Sequence, residues 1–170
     1  MDPEQAITLV QYNQWANDRL MLKATHLTEE QLNAQTWLSY QTVLATLVHI
    51  LDTQWYWREG AQHVNLPTQT LTPDDFKDLA ALGRRWKQED QILLDYVSSL
   101  STVDLSGLVT YQWPRARPRR RPLWHILQHI VNHGTHHRSE IGQYLATLNQ
   151  SPGDLDFMRF VAKKQTFTQG

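Results

Sequence analysis

The chain has 170 residues, of which 41% are hydrophobic and 19% charged, with a formal net charge of −1. This length is typical of one folded domain with its own core, so we expect a single domain over residues 1–170. The balanced charge excludes a general electrostatic attraction to nucleic acids or membranes. The sequence contains no cysteine, which excludes disulfides and thiolate ligands, so a metal site must use His, Asp or Glu.

The expected location follows from two missing signals. No run of about 18 apolar residues occurs, so we expect no membrane span. The first ten residues, MDPEQAITLV, lack the basic start and apolar stretch of a secretory signal. We therefore expect a cytoplasmic protein.

Capping residues and helical periodicity predict four long helices. The first opens on a capping aspartate and a proline, Asp2 and Pro3, and a short helical turn is expected after Thr28. The third opens on Thr72–Asp75, a cap, a proline and two first-turn acids. The long helices are expected from Asp2 to about Thr25, from after Ser39 to near Gly60, from Thr72 to about Leu100, and from about Pro122 to before Ser151.

The segment Asp104–Arg121, between the third and fourth helices, differs in composition from the helices. Within it Val109–Trp113 favours a short strand or hairpin arm. Four helices of this length, joined by connections of various lengths, predict an all-α fold. The predicted fold is a four-helix bundle with a short irregular or hairpin arm.

The predicted fourth helix carries five of the eight histidines within thirteen residues. His133 and His137 have i,i+4 spacing, which places their Cβ atoms about 5–6 Å apart, so that two imidazoles could share one ion. Both lie in the apolar stripe of the helix, within about 40° of each other. Two core histidines bonded to neighbours are the alternative, but an adjacent pair without a shared partner is costly to desolvate.

A third ligand is needed, because zinc and similar ions take at least three protein ligands. His49, in the middle of the second helix, is the candidate. It shares its helix face with small residues such as Ala45 and Thr53, which suits either a ligand pocket or a solvent face. The pattern leaves both readings of His49 open. The remaining histidines are expected at the flank or surface, except for His129, which lies on the margin of the apolar stripe. The flank or surface set is His26, His63, His125 and His136.

Four segments of the chain are similar to one known family, the DinB/YfiT-like metalloproteins. The similarity covers nearly the full length, and the fourth-helix segment combined with the second-helix histidine is its most specific part. The chain departs from the family at Ser139 and Glu140, where the family commonly has Gly-Gln. The similar segments are Gln11–Leu20, Leu47–Asp52, His129–Arg138 and Pro152–Phe157.

The resemblance implies a bundle of up-down-down-up topology, usually a homodimer. It also implies a divalent metal ion, zinc or nickel, held by His49, His133 and His137. Three neutral imidazoles leave a coordination position open, as in catalytic rather than structural sites.

Relatives with known activity suggest the leading functional hypothesis. They include transferases and isomerases that use a low-molecular-weight thiol, so the chain is expected to transfer or add such a thiol to an electrophile. Without cysteine in the chain, the thiol must arrive as a cosubstrate, and metal coordination would deprotonate it. Two alternatives stay open, a metal-dependent hydrolase and a non-enzymatic metal-binding stress-response protein.

Hydrolysis needs a general base near the attacking water. The acidic candidates are Asp52, Asp90 and Glu140. The helical pattern places Asp90 in the apolar stripe of the third helix, where we interpret it as an acid at the bundle edge. Glu140 could reach the edge of the pocket, but a solvated side chain is the preferred interpretation.

Five arginines lie in the seven residues Arg115–Arg121, a local positive patch. Nearby prolines favour an extended, exposed loop or a dimer contact, and anion binding near the pocket is the alternative. We expect no nucleic-acid partner, since no aromatic platform or reading helix accompanies the patch. The expected partners are a small-molecule substrate and a second copy of the chain. The sequence does not decide whether Trp57 and Trp113 line a substrate cavity or a dimer face.

Overall fold

The structure, a computed structural model, describes residues 1–63, 65–113 and 115–168. Four long helices form a four-helix bundle, which confirms the predicted fold class. They are α1 (Pro3–Ala24), α3 (Val43–Gln62), α4 (Leu79–Ser98) and α6 (Leu123–Thr147). The shorter elements are α2 (Glu29–Asn33), a 3-10 turn (Pro73–Asp75), α5 (Thr102–Ser106), β1 (Leu108–Tyr111), β2 (Arg119–Pro122) and α7 (Phe157–Thr168).

Each long helix of the bundle has two long neighbours. Helix α1 packs against α4 and α6, and α3 packs against the same two helices, so α1 and α3 occupy opposite corners. The contact between α3 and α6 is the one that matters for the site, because these helices carry the histidines of interest. No helix in the described ranges is long and apolar enough to cross a bilayer.

The predicted start of the third long helix is wrong by about two turns. The Thr72 hydroxyl donates to the Asp75 carboxylate, and only one 3-10 turn forms there. Phe76 is extended and packs against the core, which diverts the chain before a longer helix can propagate. Helix α4 begins after Asp78, whose carboxylate accepts the backbone N–H of Ala81 at 2.7 Å.

The connection between α4 and α6 contains a two-stranded antiparallel hairpin. Its register pairs Tyr111 with Arg119 and Thr110 with Arg120. Three of the five arginines of the run, Arg119–Arg121, therefore lie in strand β2 rather than in a loop. The segment is extended and exposed, as its prolines predicted, but its loop assignment is corrected. Helix α7, which packs against α1, was not predicted.

The core contains two large apolar clusters with a polar layer between them, and a smaller third cluster that includes Tyr12 and Phe160. One cluster includes Leu20, Leu47, Leu82 and Leu145, and the other includes Val10, Leu93, Val97 and Ile126. Between them, every long helix contributes at least one buried polar side chain. These are Asn13 and Asn17 from α1, Gln54 from α3, Asp90 from α4 and Arg138 from α6.

Candidate metal centre

Three histidine side chains from two helices converge where α3 packs against α6. The Nε2 atoms of His49 and His133 lie 3.0 Å apart. The ring centroid of His137 lies 4.6 Å from that of His133 and 4.9 Å from that of His49. One nitrogen from each residue lies within 4.8 Å of the other two. The structure thus brings together the three residues that the resemblance implied.

Helical periodicity explains which fourth-helix histidines take part. His137 is buried and His133 is half-buried, whereas His125, His129 and His136 are exposed. The i,i+4 spacing keeps the first two on the face that meets α3. The rotation of α6 expected from its apolar stripe is therefore confirmed.

The surroundings keep two of these imidazoles neutral. Burial, together with the nearby His137, lowers the pKa of His49 to about 4. Burial and the neighbouring histidines lower the pKa of His133 to about 3. Near neutral pH both rings are uncharged, and the neutral imidazole is the form that binds a metal ion.

Glu140 contacts the centre directly, so its interpretation as a solvated side chain is wrong. Its Oε2 lies 3.1 Å from Nδ1 of His137, and its Oε1 accepts the Ser39 hydroxyl at 2.6 Å and lies 3.3 Å from Nε2 of the exposed His136. Slight burial raises the pKa of Glu140, but the hydrogen bonds from Ser39 and His137 outweigh it and hold the pKa below its ordinary value. A carboxylate on Nδ1 leaves Nε2 of His137 available to an ion.

The donor set fits a divalent metal ion. Two nitrogens bound to a tetrahedral zinc ion lie about 3.3 Å apart, close to the separation of 3.0 Å between His49 and His133. Imidazole nitrogen suits zinc and nickel better than it suits calcium or magnesium. The buried Nδ1 of His133 has no hydrogen-bond partner among the described residues, whereas its Nε2 lies 3.0 Å from Nε2 of His49. Three protein ligands leave at least one coordination position open.

A cavity of about 410 Å³ adjoins His49. Tyr40, which no sequence signal singled out, stacks on the imidazole of His49 with centroids 3.7 Å apart. Asp52 also lines the cavity. Its carboxylate accepts the backbone N–H of Leu71 at 2.7 Å, and burial raises its pKa. Of the three acids considered as general bases, Asp52 is therefore the one that faces a cavity beside the triad.

Asp90 does not lie at the bundle edge, as its pattern suggested. Only 3% of it is exposed, and it accepts a hydrogen bond from Gln54 at 2.8 Å within the polar layer. Helix α1 covers this face of α4, which the sequence of α4 alone does not reveal. The residue belongs to the core rather than to the candidate centre.

An aromatic wall adjoins the triad at His133. We use this name for Trp57, Tyr111, Trp113 and His129. Trp57 contacts each of the other three, with centroids 5.1 to 5.8 Å apart. The sequence did not decide the role of Trp57 and Trp113. The structure connects Trp57 to the triad through His129, whose ring lies 5.8 Å from that of His133.

Bundle and triad together define a helical-bundle protein with a candidate three-histidine metal centre. The chain belongs to the DinB family, whose family model matches residues 1–167. The resemblance noted in the sequence is thereby confirmed.

A solved structure shares the fold at low sequence identity. It is YfiT from Bacillus subtilis, described as a probable metal-dependent hydrolase with an unusual four-helix bundle topology. The two share 14% identity with a TM-score of 0.67, over 89% of this chain and 91% of that one. No curated protein matches the sequence.

Proposed function

We propose that this protein is a metal-dependent hydrolase in which His49, His133 and His137 hold a divalent ion. One observation carries the proposal: three imidazole nitrogens lie within 4.8 Å of one another beside a cavity that also contains a carboxylate. Metal-dependent hydrolases need these two elements, an ion with an open position and a base. That YfiT is described as a probable metal-dependent hydrolase adds support.

Each group near the cavity has a distinct part in such a reaction. A divalent ion supplies Lewis acidity, which polarises a substrate carbonyl and lowers the pKa of a nucleophile. Asp52 accepts the proton of the attacking water, for which a carboxylate with a raised pKa is better suited than an ordinary one. Glu140 orients His137, and Tyr40 packs over His49 to keep its ring in place.

Thiol transfer, the first hypothesis from the sequence, stays a prediction. It requires the same three ligands but leaves Asp52 without a part, since metal coordination deprotonates a thiol without a base. A purely metal-binding role in stress also needs only the triad. The three functions therefore differ in their requirements: hydrolysis needs Asp52, thiol transfer needs an added thiol, and metal binding alone needs neither.

Metal analysis and a reaction panel test the proposal. We expect about one zinc or nickel ion per chain, lost in His49→Ala and retained in His125→Ala, an exposed histidine outside the triad. The zinc-loaded protein should hydrolyse members of a panel of 4-nitrophenyl esters, phosphate esters and anilides. Asp52→Asn should keep the metal and lower kcat by about 10²–10⁴-fold.

Three outcomes would contradict parts of this proposal. Retention of the ion by His49→Ala would remove the triad as its site. Turnover of an electrophile only with an added thiol would identify a transferase instead. Full occupancy with no turnover on any substrate would favour the binding role.

A further inference from the structure

A continuous series of side chains leads from the triad to the arginine strand. The ring of His133 lies 5.8 Å from that of His129, which lies 5.1 Å from Trp57. Trp57 in turn lies 5.8 Å from Trp113. The guanidinium carbon of Arg119 lies 5.3 Å from the Trp113 ring. A ligand bound along this surface with one end near the triad would contact aromatic rings along its length. Its other end would lie at the Arg119 guanidinium.

The positive charge of this strand is not neutralised within the described part of the chain. No ion pair within 4.0 Å among the described residues involves an arginine of Arg115–Arg121. The guanidinium of Arg119 stacks on Trp113 and makes no hydrogen bond to another described residue. Its N–H donors are therefore available to an outside acceptor.

The strand register decides which arginine faces the triad. Residues paired across an antiparallel hairpin project to the same face, and Arg119 is paired with Tyr111. Tyr111 is buried against Trp57, with ring centroids 5.1 Å apart. Arg120 is paired with Thr110 and lies on the opposite face. The hairpin thus places Arg119 and Arg121 on the side of the aromatic wall, where Arg119 lies over the Trp113 ring, and Arg120 on the face turned away from it.

We propose that the aromatic wall and Arg119 form the binding subsite for a small anionic substrate. A carboxylate or phosphate group binds the Arg119 guanidinium, and a planar apolar part of the same molecule packs on Trp57 and Trp113. A planar guanidinium binds both anions through paired hydrogen bonds, and its stacking on an indole holds it in position beforehand. That this ligand is a substrate rests on the proposed hydrolase function, but binding at this subsite does not require the metal.

Calorimetry with the full chain, metal-free and zinc-loaded, tests the subsite. The probes are 2-naphthoate, 2-naphthyl phosphate and the neutral 2-naphthylmethanol. We expect both anions to bind more tightly than the alcohol, and the two anions compared separate a carboxylate from a phosphate preference. Arg119→Gln should weaken anion binding by at least about tenfold, as expected for a lost charged hydrogen bond, and leave the alcohol unchanged. The matched control, Arg120→Gln, should bind all three like the parent.

Several results would overturn the subsite. Equal anion affinity in Arg119→Gln and the parent would do so, as would equal losses in both arginine variants. Anion binding only to the zinc-loaded protein would place the anion on the ion. Tight, steeply salt-dependent binding of duplex DNA without naphthoate binding would replace the small anion by nucleic acid. His49→Ala separates the two proposals, since it removes the metal but should keep anion binding.

Discussion

A single carboxylate sets the orientation of the third imidazole. Glu140 contacts Nδ1 of His137 through one oxygen and the exposed His136 through the other. The first contact fixes the ring and its tautomer and increases the basicity of Nε2. The second could instead make a surface site of His136, His137 and Glu140, whose donor atoms are also mutually close. Substitution of these residues distinguishes the buried from the surface site.

We expect Glu140→Gln to weaken zinc affinity by about 10–100-fold, the usual effect of losing a carboxylate behind a ligating histidine. His136→Ala is the control, since 69% of that side chain is exposed and it lies outside the triad. Competition with a chromogenic chelator measures both affinities. A larger loss in His136→Ala than in Glu140→Gln would place the ion at the surface cluster.

At the scale of the helix, α4 shows how packing overrides a local start signal. Thr72–Asp75 has the composition of a helix N-terminus, yet its capping contacts close one 3-10 turn. Leu71 is tied to Asp52 of α3 by a hydrogen bond, and Phe76 packs on the core. These contacts hold the segment against α3 beside the cavity, and the second signal, at Asp78, begins the helix.

Two cap variants test this assignment. Asp78→Ala should lower the free energy of unfolding by about 1 kcal/mol, because it leaves a first-turn N–H of α4 without its acceptor. Thr72→Ala should cost less than about 0.5 kcal/mol, since its hydroxyl does not cap a long helix. Urea unfolding followed by circular dichroism gives both values. The opposite order of the two losses would place the helix start at Thr72.

Across the whole molecule, the polar layer connects the four long helices. Arg138 donates to the side-chain oxygens of Asn13 and Asn17 at 2.7 and 2.8 Å. Asn13 donates to Gln54 at 2.9 Å, and Gln54 donates to Asp90 at 2.8 Å. A buried polar residue out of register would lose its partner, which is costly in an apolar core. We expect this layer to fix the register of the helices and thereby the approach of α3 to α6.

The layer also predicts a pH dependence of stability. Burial raises the pKa of Asp90 to about 7, so between about pH 4 and pH 7 the folded chain holds a proton that the unfolded chain has lost. The contribution of Asp90 to stability should therefore fall as pH rises through this range and level off above it. The lowered pKa values of His49 and His133 act in the opposite direction, so the comparison of the parent with an Asp90 variant isolates the Asp90 contribution. Asp90→Asn mimics the protonated form. Its gain in unfolding free energy should be on the order of 2 kcal/mol larger at pH 8 than at pH 5.

Denaturant unfolding at the two pH values measures this difference. Asp95→Asn, on the exposed face of the same helix, controls for the loss of one negative charge. A gain for Asp90→Asn that is the same at both pH values would mean that Asp90 keeps an ordinary pKa.

The homodimer and the cytoplasmic location implied by the sequence stay predictions.

The sequence by itself determined what depends on local periodicity. Caps and apolar spacing predicted the long helices, three of them close to their observed bounds, and the i,i+4 spacing placed His133 and His137 on one inward face. Side chains on one helix have fixed relative directions, so no tertiary contact is needed for either result.

Only the tertiary structure decided which groups from different elements meet. The helical wheel left His49 open, because its partner depends on the crossing of α3 and α6. The same holds for Glu140, whose second oxygen meets a loop residue, and for Asp90, which α1 covers. The face of the hairpin on which Arg119 lies follows only from its strand pairing with Tyr111. Contacts between distant segments depend on how whole elements pack, and that packing is set by the entire core rather than by any one stretch of the chain.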